Sequence, residues 1–426
     1  MKKIVRSSFR DSTAYAVASE IRYCLGKVRK VIRERGSLKD KLISLFPEGI
    51  PRGRVLFSYI IDGFLEEPNA PIFNRHTNIW QTVKMVETFV ELGYEVDVID
   101  WTNNRYVPQG NYSFLVDVRR NIERLAPVLN KDCIKIMHLD TAHILFHNAA
   151  EAKRLLQLQS RRGVTLHLRR FEKPNLGIEH ADYGTTGGND FTIDTFRYAK
   201  KKIFRLPSPC AIKLDWPKRE WHQCRKHFLW FSSGGLVHKG LDLALEAFSE
   251  MPDFHLTVCA PVDREKDFLR AFHKELYQTE NINTIGWVDI NSDVFRDITA
   301  RCAATLHLSC SEGGAPSVKM CMHAALIPIV SYESGVDTHD FGFTLKDCSV
   351  VGIKNLLNHF ATISQNEIEN RALKTWEYAR RYHTRENFAS EYRKIILDII
   401  EDVQSRDHQQ HPLVKPVTDH NVKHEA

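Results

Sequence analysis

From Arg54 onward the chain repeats one rhythm: a short apolar run rich in strand formers, a loop, then a stretch with helical spacing of apolar residues. Arg54–Ile61 (RVLFSYII) reads as a strand. Ile79, Val83, Val86 and Val90 share one face of a helix that Gly93 stops, and Tyr94–Asp100 (YEVDVID) is the next strand. Such strand–helix–strand units build parallel sheets. The series continues through Ser113–Val118, Cys133–Met137, a helix across Ala149–Gln159, and a glycine turn after a further strand around Asp182–Asn189 (DYGTTGGN). Pro207, Pro209 and Pro217 then interrupt all periodicity. A second series opens at Phe228–Phe231 and runs through Phe254–Cys259, Thr284–Val288, Ala304–Leu308 and Ile327–Ser331. The 426 residues exceed what one core encloses, so the two series imply two doubly wound, Rossmann-like α/β domains.

The boundaries follow from this pattern. Residues 1–50 form a basic extension, 51–208 the first domain, 209–226 a linker and 227–370 the second domain. Residues 371–403 are C-terminal helices and 404–426 a polar, disordered tail. In that tail His408, His411, His420 and His424 read either as metal ligands or as solvated side chains.

Charge separates the extension from the body. Residues 1–54 carry 14 Lys and Arg against 5 Asp and Glu, although the whole chain is only +6. The segment either sits on anionic lipid headgroups or is a solvated helix whose charge serves solubility. No aromatic interleaving accompanies the charge, which argues against nucleic acid. The 43% hydrophobic and 26% charged content suits a globular chain, and no apolar run is long enough to span a bilayer. No signal-like apolar stretch follows Met1-Lys2-Lys3. Nine scattered cysteines without a Cys-x-x-Cys pair imply reduced thiols in the cytoplasm and no zinc site.

Two stretches carry chemistry. In FLWFSSGGLVHKGLDLALEAF (Phe228–Phe248) a buried strand meets Gly234 and Gly235, then Lys239 and Gly240, then an amphipathic helix with Leu241, Ala244, Leu245 and Phe248 on one face. A lysine at a helix start is poorly matched to the dipole unless an anion is also bound, and a phosphate meets that condition. The plainer alternative is a tight turn with a solvated lysine. In LSCSEGGAPSVKMCMHAALIPIV (Leu308–Val330) Glu312 follows a strand, where open α/β sheets bind ligands, and a helix starts at Pro316. Amides of the turn through Gly313, Gly314, Ala315 and Ser317 are placed to meet phosphate or sugar hydroxyls. Glu312 alternatively caps the helix. Val318, Cys321, Met322 and Ala325 share a face that reads as core.

Taken together, Lys239-Gly240-x-Asp242, Ser311-Glu312-Gly313 and Ile327-Pro328-Ile329-Val330 resemble the carboxyl-terminal domain of family 4 glycosyltransferases, the large retaining family of the GT-B fold. The likeness covers residues 228–345. The first domain shares only architecture and the strand-end motif His138-x-Asp140. The resemblance implies two Rossmann-like domains facing a cleft, a nucleotide sugar as co-substrate without a separate cofactor, and an acceptor hydroxyl on a glycan or lipid-linked glycan. It gives Lys239 the donor phosphates and Glu312 the donor sugar near its reacting centre. Gly286, Trp287 and Val288 resemble the loop that holds the base, with Trp287 either stacking on the base or filling a core.

The departures are specific. The family usually carries an arginine five residues before the lysine, where this chain has Gly234. Its second glutamate, eight positions after the first, corresponds to Met320, or to Cys321 with one residue inserted. These losses motivate the alternative of a degenerate, non-catalytic binder. On the acceptor side His138, then His143, are the candidate bases beside Asp140, or else they are structural histidines. Asp182 and Gly187-Gly188 are further candidates for the cleft wall. No Asp-x-Asp pair is present, so no metal site is expected and the leaving phosphates would be neutralised by protein alone.

Overall fold

The computed structural model describes residues 16–23, 26–33, 38–68 and 70–410. The first sheet contains Ala16–Tyr23 (β1), Gly26–Arg33 (β2), Leu42–Phe46 (β3), Arg54–Tyr59 (β4), Glu95–Asp100 (β5), Phe114–Asp117 (β6), Ile134–Leu139 (β7), Tyr183–Thr186 (β8) and Lys202–Arg205 (β9). Its order is β1-β2-β3-β5-β4-β6-β7-β8-β9. From β5 to β9 all neighbours are parallel, whereas β1, β2 and β3 add on antiparallel. Val55, Leu56 and Phe57 on β4 and Leu115 and Val116 on β6 are fully buried, as expected of parallel strands covered on both faces.

The second sheet holds His227–Phe231 (β10), His255–Cys259 (β11), Ile282–Thr284 (β12), Ala304–His307 (β13), Ile327–Ser331 (β14) and Phe343–Leu345 (β15). All are parallel, in the order β12-β11-β10-β13-β14-β15. Phe228, Trp230, Phe248, Val258, Leu306 and Ile329 belong to its core.

Several boundaries differ from the expectation. The 1–50 extension is not a separate solvated helix, because β3 lies within it and buries Ile43 and Leu45 in the first core. Ser44 Oγ donates to buried Asp97 on β5 at 2.5 Å, which satisfies a charge that would otherwise be costly to bury. Residues 1–15, 24–25 and 34–37, the remainder of the lipid-contact candidate, lie outside the described residues. The 284–288 strand is instead Ile282–Thr284, and the following residues form a loop.

The C-terminal helices are not a unit of their own. Gln365–Tyr382 packs on the second domain, while Arg385–Gln410 crosses back and places Phe388, Tyr392 and Ile396 in the first core. That helix continues through residues 404–410, where a disordered tail was expected. His411, His420 and His424 fall outside the described residues. The two crossings are tied together, since the Ser208 amide donates to His383 Nδ1 at 3.1 Å and Trp376 Nε1 donates to the Leu214 carbonyl at 2.9 Å. Among the described residues no helix is long and apolar enough to cross a membrane, and no His/Cys/Asp/Glu cluster is arranged to hold a metal ion.

Candidate functional site

Strand order in the second sheet reverses between β10 and β13. The loops leaving those two strands diverge there and open the crevice in which such sheets bind ligands. The β10 loop carries Ser232, Ser233 and Lys239, and the β13 loop carries Glu312. They lie close because Gly240 has φ +76° and a Cβ there would sit 2.6 Å from the Leu308 carbonyl oxygen. Only glycine permits both the angle and the approach.

Lys239 and Glu312 face one cavity of about 280 Å³ between the domains. Both are nearly buried, at 7% and 8% exposure, with Nζ 3.9 Å from Oε1. Lys239 also donates to Ser233 Oγ at 3.0 Å. Burial alone would push the Glu312 carboxyl up, but Lys239, the His307 ring 3.9 Å away and the Arg170 guanidinium together hold it well below the usual carboxylate range. Burial pulls the Lys239 ammonium down, Glu312 draws it back, and Arg170 opposes it. Ala315, Pro316 and Ser317 at the start of the Pro316–His323 helix also line the cavity. Ala315 holds φ +35°, a left-handed angle that costs a side chain roughly 1–2 kcal/mol.

The other donor-side candidates separate. Trp287 is 57% exposed and lines the cavity beside Val288, so it is not a core residue. Gly286 precedes it at φ +93° with no atom near its Cβ position, and forms the turn rather than the wall. Gly234 and Gly235 do not reach the cavity. The Gly235 and Leu236 amides donate to the Glu265 carboxylate at 2.5 and 3.3 Å, so a side chain already holds the nest expected for phosphate. Gly313 and Gly314 serve close packing between domains. A Cβ on Gly313 would lie 2.4 Å from the Asp140 carbonyl oxygen, and one on Gly314 would lie 2.3 Å from that of Gly187. Gly313 still borders the cavity, and Gly314 does not. Cys321 is fully buried in a core cluster away from the cavity, whereas Met320, one residue earlier, lines it.

On the first domain's wall, both ring nitrogens of His138 are occupied. Gln81 Nε2 lies 2.6 Å from its Nε2 and Thr185 Oγ 2.9 Å from its Nδ1. Burial and Arg119 pull it down to about 4, which leaves a neutral ring with no nitrogen free to take an acceptor's proton. Asp140 borders the cavity but is ion-paired with Arg119. His143 caps the Ile144–Arg162 helix, accepting from the Leu145 amide at 3.4 Å and meeting Tyr198 Oη at 3.0 Å, and is not in the main cavity. Gly187 lines the cavity, and Asp182 instead accepts from the Lys135 amide at the surface.

Sequence reasoning missed Arg170 and His76, which also line the cavity. His76 caps the Thr77–Glu91 helix, and its Nδ1 accepts from the Asn78 amide at 3.3 Å. A neutral ring then carries its proton on Nε2. The side chain is exposed at the cleft, where desolvation by the surrounding protein, then Lys239 and Arg170, pull its pKa down. A capping residue before an apolar run was the available signal for His76, and nothing local marks Arg170. A larger groove of about 680 Å³ lies between the Ile144–Arg162 helix and residues 346–350, but contains neither Lys239 nor Glu312.

No protein-family model and no curated protein matches this sequence. Solved structures do. Sucrose-phosphate synthase from Thermosynechococcus elongatus aligns at 11% identity and TM-score 0.57, over 82% of this chain and 100% of that one. The α,α-trehalose 6-phosphate synthase from Burkholderia multivorans aligns at 9% identity and TM-score 0.56, over 85% and 100%. HepE from Anabaena, in complex with UDP-glucose, aligns at 11% identity and TM-score 0.51, over 82% and 100%. All three are GT-B glycosyltransferases. Identities this low speak for backbone architecture alone. With two Rossmann-like domains facing a cleft and a C-terminal helix that returns to the first, this chain has the GT-B fold.

Proposed function

We propose that this chain is a glycosyltransferase that moves a sugar from a nucleotide-sugar donor to a hydroxyl of a glycan or lipid-linked acceptor, with retention at the anomeric carbon, as in family 4. The observation that carries the reading is the convergence of the Lys239 ammonium, the Glu312 carboxylate and the start of the Pro316–His323 helix on one interdomain cavity. Exposed Trp287 on the same wall supports a base-stacking platform.

In this reading the bond from the anomeric carbon to the β-phosphate oxygen breaks while the acceptor oxygen bonds to that carbon on the same face. The acceptor's proton leaves on the departing phosphate oxygen. Negative charge grows on the diphosphate as the bond lengthens, so a fixed ammonium beside it stabilises the transition state more than the ground state. Glu312 orients the donor sugar. Residues of the protein supply the neutralising charge, so the scheme requires no cofactor.

The test is turnover of a panel of UDP-, GDP- and ADP-sugars by the wild type and by Lys239→Ala. Release of nucleoside diphosphate by the wild type and its loss in the variant are expected. Failure to bind or turn over any donor sinks the proposal. One observation favours a second reading. Met320 stands in the cavity where the family resemblance places a ribose-binding carboxylate, which suits a degenerate nucleotide-sugar binder. Binding without turnover of any donor would select that reading.

A further inference from the structure

Arg170 sits in the irregular segment after the Ile144–Arg162 helix, a stretch that follows β7 in sequence but packs on the second domain through Leu158, Leu166 and the Arg169–Asp267 ion pair, and it lines the cavity that holds Lys239 and Glu312. Its backbone is clamped from both sides. The Arg170 amide donates to the buried Glu151 carboxylate at 2.8 and 3.0 Å, and its carbonyl accepts from His147 Nε2 at 2.8 Å. A carbonyl has no proton to give, so His147 carries its proton on Nε2. Its Nδ1 is then the acceptor facing Thr141 Oγ at 3.0 Å and Ser311 Oγ at 3.1 Å. One histidine thus fixes Arg170 relative to the residue next to Glu312.

The side chain is free in a way the backbone is not. Among the described residues no carboxylate or carbonyl accepts a hydrogen bond from the Arg170 guanidinium, although carboxylates pair with the nearby Arg161, Arg162 and Arg169. Its aliphatic part passes over the glycine loop, where a Cβ on Gly235 would lie 2.9 Å from Arg170 Cγ. The glycine there leaves room for the arginine. Around the cavity this sets two cations, Lys239 and Arg170, beside Glu312, while of the other two carboxylates on its lining Asp140 is paired with Arg119 and Asp289 accepts from Asn291. Two like charges held in a half-closed cleft repel each other until an anion arrives.

We infer that Arg170 is the second phosphate-binding cation of the donor site, supplied by the segment after the Ile144–Arg162 helix in place of the arginine that Gly234 replaces. The guanidinium presents a fork of N–H donors suited to phosphate oxygens. The diphosphate then sits between the Lys239 ammonium and the Arg170 guanidinium, both beside the glycine loop. This inference rests on the donor reading above.

Titration calorimetry with UDP, GDP and ADP, and with the matching nucleosides, tests it on the full chain. Arg170→Gln is expected to weaken the bound diphosphate roughly 10- to 100-fold, to leave the nucleoside's affinity unchanged, and to keep the wild-type Tm. Arg170→Lys should fall between the two. Undiminished diphosphate affinity in Arg170→Gln, with Lys239→Ala still weakened, overturns the role of Arg170 and leaves the donor reading intact. Equal losses for diphosphate and nucleoside would also overturn it, since the effect would then be structural. A wild type that binds none of the three diphosphates overturns the donor reading and this inference with it.

Discussion

On the second domain's wall of the cleft the functional groups face open space, whereas on the first domain's wall most polar groups face their own domain. Lys239, Glu312, Ser233 and Trp287 all line the cavity. Across from them His138 is spent on Gln81 and Thr185, Asp140 on Arg119, and His143 on a helix cap and Tyr198. A histidine near a strand end is common to both functional and structural designs. What distinguishes them is whether a ring nitrogen remains for a ligand. By that criterion the first wall contributes the Nε2–H of His76 and little else, while Arg170 reaches the cavity from a segment packed on the second domain.

The sharpest way to break this contrast is to remove Lys239 from the second wall and, from the first domain, His143, a helix cap outside the cavity. Lys239→Ala is expected to lower donor turnover by roughly 100- to 1,000-fold, the usual cost of deleting one preorganised group that stabilises developing charge. His143→Ala should cost about 1 kcal/mol of stability as a lost helix cap and leave turnover at the wild-type level. Steady-state kinetics and thermal melts of both variants check the pair, and comparable turnover losses would erase the distinction between the walls.

A second contrast concerns glycines that meet across the same seam. Gly314→Ala puts a methyl 2.3 Å from the Gly187 carbonyl oxygen at φ +113°, and is expected to cost about 2–4 kcal/mol through overpacking and backbone strain. Gly187→Ala meets nothing closer than 3.6 Å and should be tolerated. Denaturant melts decide it. If the two variants prove equally stable, the seam adjusts more easily than its close contacts imply.

How far the sequence discloses this molecule depends on how local each feature is. Strands β4, β10, β13 and β14 are legible because burial on both faces writes them as short, mostly apolar runs, whereas β5 is legible because Val96 and Val98 alternate with Glu95 and Asp97. The three- and four-residue strands β9 and β15 are too short to show a period, and β3 is masked by the basic residues around it. Ile285–Val288 has strand composition but turns at Gly286 toward the cavity, because Trp287 packs against no sheet. Periodicity marks residues 385–400 as helical without telling which domain they cover. In the site, Lys239-Gly240 and Glu312-Gly313 are contiguous and readable. Arg170 is placed by Glu151 and His147, contacts that no spacing encodes.

Trp287 tests whether the exposed half of the second wall acts in binding. An aromatic platform under a base contributes ~1–3 kcal/mol, so Trp287→Ala is expected to weaken nucleoside and nucleoside diphosphate alike, by roughly tenfold. That pattern is opposite to the one for Arg170→Gln, which spares the nucleoside. Calorimetry showing unchanged nucleoside affinity would leave Trp287 outside the site.

The smallest effect concerns His138, where the structural and catalytic assignments predict different pH behaviour. The ring titrates at about 4 in the folded protein, because burial and then Arg119 disfavour its charged form, against about 6.5 when unfolded. Below 6.5 the unfolded chain binds a proton that the native ring refuses. The contribution is therefore complete above that pH and is lost at up to about 1.4 kcal/mol per pH unit as the pH falls toward 4. His138→Asn should be less stable than the wild type at pH 7.5, and the gap should narrow by pH 5. If the stability gap instead stays constant with pH while turnover collapses, His138 exchanges a proton with the acceptor. The first wall would then be as chemically engaged as the second.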